Sequence, residues 1–314
     1  MRRQRLTRVK SLLLPGIVAV VLCLGVAVAH WRPWSRGSAP LRAAGSSVFP
    51  LLTEVDFDTG EESPERATVE GTGTVFFGQF VLTVAHAVTL ERLEMKVRTP
   101  RGEMTLPVEG RRVSEKTWLI AGERRLPLTP LARDEEADLA LFLLPRGTDL
   151  PAFPYPIGNS ETLDLGDPIA VLGCDPVAGV LFRQGSVAAL RGSARVARLS
   201  DSDRVFLISL ALTEGESGAP ILAARGGAYE LVGLAQGTYI GPRQLAWAVR
   251  IGPALEALSR RDGSSKIRQF LRLCRRTQMA TLAEPRDRTS GGDRRYDGDR
   301  RSDTGAPPAA GRTR

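Results

Sequence analysis

A chain of 314 residues with 42% hydrophobic side chains is long enough for one large all-β domain plus tails, or for two ordinary domains. The formal charge of +8 would suit a nucleic-acid partner, but no zinc-finger, RNP-type or basic-zipper pattern is present and aromatics are only 6% of the chain, so stacking platforms are scarce. Nucleic acid is therefore not an expected partner. Part of the basicity has another origin, because Arg2, Arg3, Arg5, Arg8 and Lys10 cluster directly before an apolar run.

That run, Leu12 to Ala29, holds 18 residues without a charged side chain, close to the lower limit for crossing a hydrocarbon core of about 30 Å. No polar face interrupts it, which disfavours a buried helix of a globular domain. Five cations precede it and only Arg32 and Arg36 closely follow, so the positive-inside bias puts everything after Ala29 outside the cytoplasm. Ala27-Val28-Ala29 has the small-x-small form of a signal-peptidase site, whereas Trp31 and Trp34 suit a membrane interface. The expectation is a single-pass membrane protein anchored through residues 1–30, with a secreted or periplasmic chain as the alternative if cleavage follows Ala29. Cys23 lacks the preceding small residue of a lipoprotein signal.

Residues 31–47, rich in Gly, Ala, Ser and Arg, read as a linker. From Val48 to about Asp262 short apolar and β-branched runs, such as Thr72 to Val84, Leu139 to Leu144, Ile169 to Leu172, Val205 to Leu210 and Glu230 to Ala235, alternate with turn formers such as Gly166-Asp167-Pro168. This texture predicts an all-β barrel or sandwich. Over 263–283, Ile267, Phe270, Leu271 and Cys274 fall at i, i+3, i+4 and i+7 with arginines between them, which predicts an amphipathic helix docked on the barrel. A basic helix lying on anionic lipid is the other reading of that stretch. Residues 284–314 have almost no large apolar side chain and are expected to be disordered. Cys174 and Cys274 are too sparse to form a disulfide framework.

Three local patterns carry chemistry. Gly215-Glu216-Ser217-Gly218-Ala219-Pro220 sets a serine between glycines in a tight turn, and Gly215 lets its own N–H and that of Ser217 converge on one point, as an oxyanion requires. An ordinary glycine-serine turn is the plainer reading. His86, in Val84-Ala85-His86-Ala87, follows an apolar strand; the only other histidine is His30 at the membrane boundary, so a histidine-dependent mechanism in the exported domain must use His86. For the same reason metal ligation lacks donors. A histidine base needs an acceptor on its second nitrogen. Asp138 abuts the strand Leu139 to Phe142, whereas Asp134, Glu135 and Glu136 read as a solvated acidic loop.

Together these motifs resemble the trypsin-like serine protease family, and more closely its bacterial HtrA-like branch, over about Val69 to Ile251. Leu163 to Gly173 is similar to that family's strand leading to a Gly-Tyr-Pro turn, here Gly173-Cys174-Asp175-Pro176, and Gln184-Gly185-Ser186-Val187 to the next Gly-x-Val segment. The order His, Asp, Ser opposes an α/β-hydrolase. The resemblance implies the chymotrypsin fold, all-β with two six-stranded barrels, a site in the cleft between them, and a peptide-bond hydrolase in which His86, Asp138 and Ser217 form the triad. The Gly215 and Ser217 amides would be the oxyanion hole, and Ala211, Leu212 and Gly237 the specificity pocket. It further implies peptide or protein substrates, no cofactor, and an apolar preference before the scissile bond, since Ala211 sits six residues before the serine. Departures are Ala219 in place of a second glycine, no Ile-Val-Gly-Gly activation start, no following PDZ domain, and Glu216 where secreted trypsins carry the aspartate that pairs with a freed N-terminus. The rival expectation is a catalytically silent barrel that binds peptides in the same cleft.

Overall fold

The computed structural model describes residues 38–90, 93–99, 102–175, 178–192, 202–225, 228–239 and 244–283. The apolar run at 12–29 and the tail at 284–314 lie outside them. Among the described residues no helix is long and apolar enough to cross a membrane. The chain opens with α1 (Ser38–Gly45), then runs β1 (Val48–Asp58), β2 (Glu65–Phe76) and β3 (Phe80–Thr83). A hairpin of β4 (Leu93–Thr99) and β5 (Gly102–Val108) leads to β6 (Arg111–Ala121), β7 (Arg124–Pro127), β8 (Thr129–Asp134) and β9 (Leu139–Leu143). The second half holds β10 (Pro168–Asp175), β11 (Gly179–Ala189), β12 (Val205–Ile208), β13 (Pro220–Arg225), β14 (Ala228–Thr238) and β15 (Ala246–Arg250). Two helices, α2 (Ile251–Arg261) and α3 (Ser265–Ala283), follow.

The two halves are not built alike. Strands β10 to β15 close into a six-stranded barrel in the order β10-β11-β12-β15-β14-β13. The N-terminal half, for which a second six-stranded barrel is expected, is an open seven-stranded sheet, β7-β6-β1-β2-β3-β9-β8. It does not close because β4 and β5 pair only with each other. The strands are antiparallel throughout, with bulges such as the one between Ile221 and Leu222 that turn a strand around its barrel.

Period-two patterning assigns each strand's faces to different cores. Phe80 and Leu82 of β3, and Leu139 and Leu141 of β9, enter a core shared by both halves and the C-terminal helices. The intervening Val81, Ala140 and Phe142 face the interior of the N-terminal sheet. Strand β10 divides in the same way: Ala170, Leu172 and Cys174 join the shared core, while Ile169 and Val171 fill the closed barrel. These strands are therefore apolar on both faces, which explains their continuous apolar runs.

The helices complete the shared core. Helix α3 turns Ile267, Phe270 and Cys274 inward, the face its sequence predicts, and Phe270 lies 5.7 Å from Phe76, 6.1 Å from Phe77 and 5.2 Å from Phe80, ring to ring. Burial of each such ring contributes about 1.5 to 3 kcal/mol. The stretch read as a linker contains α1, with Leu41 and Ala44 buried in the same core. Cys174 and Cys274 are free.

Candidate active site

His86, Asp138 and Ser217 meet at the cleft between the halves. Strand β3 ends at Thr83 and the chain tightens into a 3₁₀ turn at Ala85–Val88, in which Ala85, Ala87 and Val88 are buried and His86 points outward. Small neighbours make this possible: a Cβ on Gly71 would stand 2.7 Å from that of Ala87. The His86 backbone N–H donates to Asp138 Oδ1 at 2.9 Å and its ring Nδ1–H to Asp138 Oδ2 at 2.8 Å. The Ser217 hydroxyl lies 3.0 Å from His86 Nε2. Asp138 and Ser217 are thus each within direct hydrogen-bond reach of His86, the arrangement that a base between an orienting carboxylate and a nucleophile requires.

Asp138 sits just before β9 with φ of 49°, a left-handed conformation that aspartate tolerates better than most residues. The turn that forces it is organised by Asp134, whose Oδ1 accepts the backbone N–H of Glu136 (3.0 Å) and Ala137 (2.9 Å) and a guanidinium N–H of Arg261 at 3.4 Å. Asp134 is 5% exposed, so it is a buried brace of the loop and not the solvated side chain expected from the acidic run.

Gln236 on β14 is the contact that the sequence reading missed. Its Nε2 donates to Asp138 Oδ2 at 2.6 Å, and its backbone carbonyl accepts from the Ser217 hydroxyl at 3.3 Å. Burial pushes the Asp138 carboxyl up, but hydrogen bonds from the His86 ring and backbone and from Gln236, with the attraction of the imidazole, outweigh it and hold the carboxyl below its ordinary value. It remains an anion able to stabilise an imidazolium.

The turn that carries Ser217 is held from both halves. Gly215 and Gly218 adopt φ of 87° and 90°, and a Cβ on Gly218 would collide with the Thr72 carbonyl and the Thr83 hydroxyl. Thr72 stitches the turn to β2: its N–H donates to the Ser217 carbonyl at 2.7 Å and its hydroxyl to the Gly215 carbonyl at 2.7 Å. That hydroxyl also accepts the Cys174 N–H at 2.9 Å. Among the described residues the N–H groups of Gly215 and Ser217 have no protein acceptor, the condition for two free donors beside the hydroxyl. Ala219, where a second glycine is expected, has no left-handed backbone and is fully buried.

Of the expected pocket residues, Leu212 and the β14 strand are joined through Thr238, whose hydroxyl accepts the Leu212 N–H at 2.6 Å and donates to its carbonyl at 2.8 Å. Ala211 precedes this tie and is partly exposed. Gly237 lies under the Trp247 indole, which would stand 2.7 Å from a Cβ there. Glu214, the carboxylate near Ala211 in sequence, is exposed. The buried thiols of Cys174 and Cys274 are pushed up to about 12 by desolvation, so neither offers a thiolate nucleophile near neutral pH. Among the described residues no three His, Cys, Asp or Glu side chains gather as metal ligands would.

A closed six-stranded barrel facing a half-barrel, with histidine and serine across the cleft, defines the chymotrypsin-like class of fold. Residues 71–234 match the trypsin-like peptidase domain, just over half of the chain, and the chain belongs to that family. No curated protein sequence matches it. Among solved structures it is similar to a serine-to-alanine variant of the HtrA-type protease AlgW with a decapeptide, at 16% identity and a TM-score of 0.51, covering 72% of this chain and 67% of that one. AlgW with a tripeptide is also similar, at 17% identity and a TM-score of 0.48, covering 69% of this chain. The chain spans 60% of the length of that structure.

Proposed function

We propose that the protein is a serine endopeptidase in which Ser217 attacks the peptide carbonyl. His86 takes the hydroxyl proton at Nε2 and returns it to the leaving amine, and Asp138 holds the Nδ1–H and the charge of the imidazolium. The Gly215 and Ser217 amides receive the oxyanion of the tetrahedral intermediate. Water then attacks the acyl-enzyme, His86 again moves the proton, and the new carboxylate leaves with Ser217 regenerated. The observation that carries this reading is the unbroken contact from Asp138 through His86 to Ser217, at 2.8 and 3.0 Å, in a family of peptidases. A binding module would have no need for all three groups in line.

The substrates are exported or misfolded proteins, and the domain works outside the cytoplasm on an anchor formed by the apolar run at 12–29; charge asymmetry around that run supports this topology. The decisive experiment treats the purified full chain with a fluorophosphonate and with an unfolded protein substrate. Wild type should be labelled and cleave, while Ser217→Ala should do neither. Peptide binding without labelling or cleavage would establish the silent module instead.

A further inference from the structure

The triad makes no use of Glu216, yet this side chain sits between Gly215 and Ser217 and is fully buried. It packs so closely on β10 that a Cβ on Gly173 would stand 2.6 Å from its Cγ and Oε1. Its Oε1 accepts Arg183 Nε at 2.8 Å, and its Oε2 accepts both the Thr213 N–H at 2.6 Å and the Thr213 hydroxyl at 2.9 Å. Thr213 in turn accepts the Glu216 N–H on its carbonyl at 3.2 Å, so residues 213 to 216 form a closed loop around one carboxylate. Arg183 comes from β11, an element otherwise outside the site, and its side chain is 32% exposed.

A carboxylate taken wholly out of water is expensive unless its charge and lone pairs are matched, and a well-packed apolar residue would serve stability as well. Its value here lies in what it fixes. The two amides that would meet an oxyanion are those of the residues on either side of Glu216, and donors of this kind act only when their direction is set before the reaction. The anchoring cation is carried by the β11 strand, so the brace is part of the barrel itself.

We propose that Arg183 is a positioning residue for catalysis: by holding Glu216 it sets the Gly215 and Ser217 amides and the Ser217 hydroxyl in their working directions. The proposal rests on the hydrolytic reading above. The test compares full-length wild type, Ser217→Ala, Arg183→Lys, Arg183→Met and the charge-free double variant Arg183→Met with Glu216→Gln, on a chromogenic peptide substrate, with melting temperature and fluorophosphonate labelling rate recorded for each. Arg183→Met should lose roughly 100-fold in kcat with little change in KM, the scale of losing an oxyanion donor. Arg183→Lys should recover most of that loss. Should Arg183→Met fail to fold, the double variant, which leaves no buried charge unpaired, should fold and still show the fall in kcat at unchanged KM. A folded double variant with wild-type kcat, or an Arg183→Met enzyme that is fully active well below its melting temperature, overturns the proposal. An unlabelled, inactive wild type overturns the hydrolytic reading itself, a result distinct from either of these.

Discussion

The two halves bury the inner face of a sheet by different means. In the C-terminal half each of six strands has two neighbours, and Ile169, Val171, Phe206, Ile208 and Ile221 fill an interior made by that half alone. The N-terminal sheet leaves β7 and β8 as edges, and α2 packs on β8 and β9 while α3 packs on β8. It borrows its cover from the end of the chain. The half that carries His86 and Asp138 therefore depends on the rest of the molecule, whereas the half that carries Ser217 and Gln236 supplies its own frame. Several of the site's hydrogen bonds cross this division, including those from Thr72 to the Gly215–Gly218 turn and from Gln236 to Asp138.

The largest expected effect asks whether the halves act as one catalytic unit. His86→Ala alters only the first half and Ser217→Ala only the second, and each should lower kcat by a factor on the order of 10⁶. Joined in one chain they should lower it no further than either alone. A multiplicative loss would mean the groups work separately.

Next comes stability. Phe270→Ala removes a fully buried ring beside Phe76 and Phe80 and should destabilise by about 3 to 5 kcal/mol, as should Phe206→Ala inside the closed barrel. Since the shared core includes residues from both halves, Phe270→Ala should lower one common transition, followed by calorimetry and by tryptophan fluorescence. Two separated transitions would make the N-terminal sheet an independent folding unit and undo the comparison.

A smaller effect concerns the bond that joins the halves at the carboxylate. The folded-state value for Asp138 lies below its ordinary 3.8, so the carboxylate stabilises the fold above 3.8, and that contribution disappears as the pH falls through 3.8 and then through the lower folded value. Gln236→Leu removes a hydrogen bond to a charged group, of about 1.5 to 3 kcal/mol, and should raise the Asp138 value. Its melting temperature should fall below that of wild type at pH 6 to 7, with the gap narrowing in strong acid, where the carboxyl is protonated in both. A gap independent of pH would show that Gln236 acts through packing alone.

The smallest effect tests the C-terminal half by itself. Cleavage-site profiling should find Val, Ala, Leu or Ile before the scissile bond, with neighbouring apolar side chains separated by about 1 to 3 kcal/mol per methylene. A dominant Arg or Lys there would displace Ala211 and Leu212 from the pocket and leave the triad untouched.

His86, Asp138 and Ser217 are legible in the sequence because each lies in a short pattern of its own: a histidine after an apolar strand, an aspartate before one, a serine between glycines. The groups that support them are not. Gln236 lies 98 residues from Asp138, directly after the apolar run Leu231 to Ala235, and nothing local marks it as a partner for a carboxylate. Asp134 differs from its acidic neighbours only in being turned inward to bind two backbone N–H groups. The all-β class follows from strand periodicity, but closure depends on which strands pair, and β4 with β5 reads like any other hairpin. Helix α1 is hidden because Ser38 to Gly45 has a linker's composition; only Leu41 and Ala44, one turn apart, betray a buried face.

The contact of Phe270 with Phe76 and Phe80 also orders events during synthesis. A ribosome delivers His86 first, Asp138 some fifty residues later and Ser217 later still, all before Phe270 has emerged. Until that ring arrives, the sheet bearing His86 and Asp138 lacks part of the core it shares with the other half. Element order alone thus makes the cleft wait for the last helix before the core beneath it is complete.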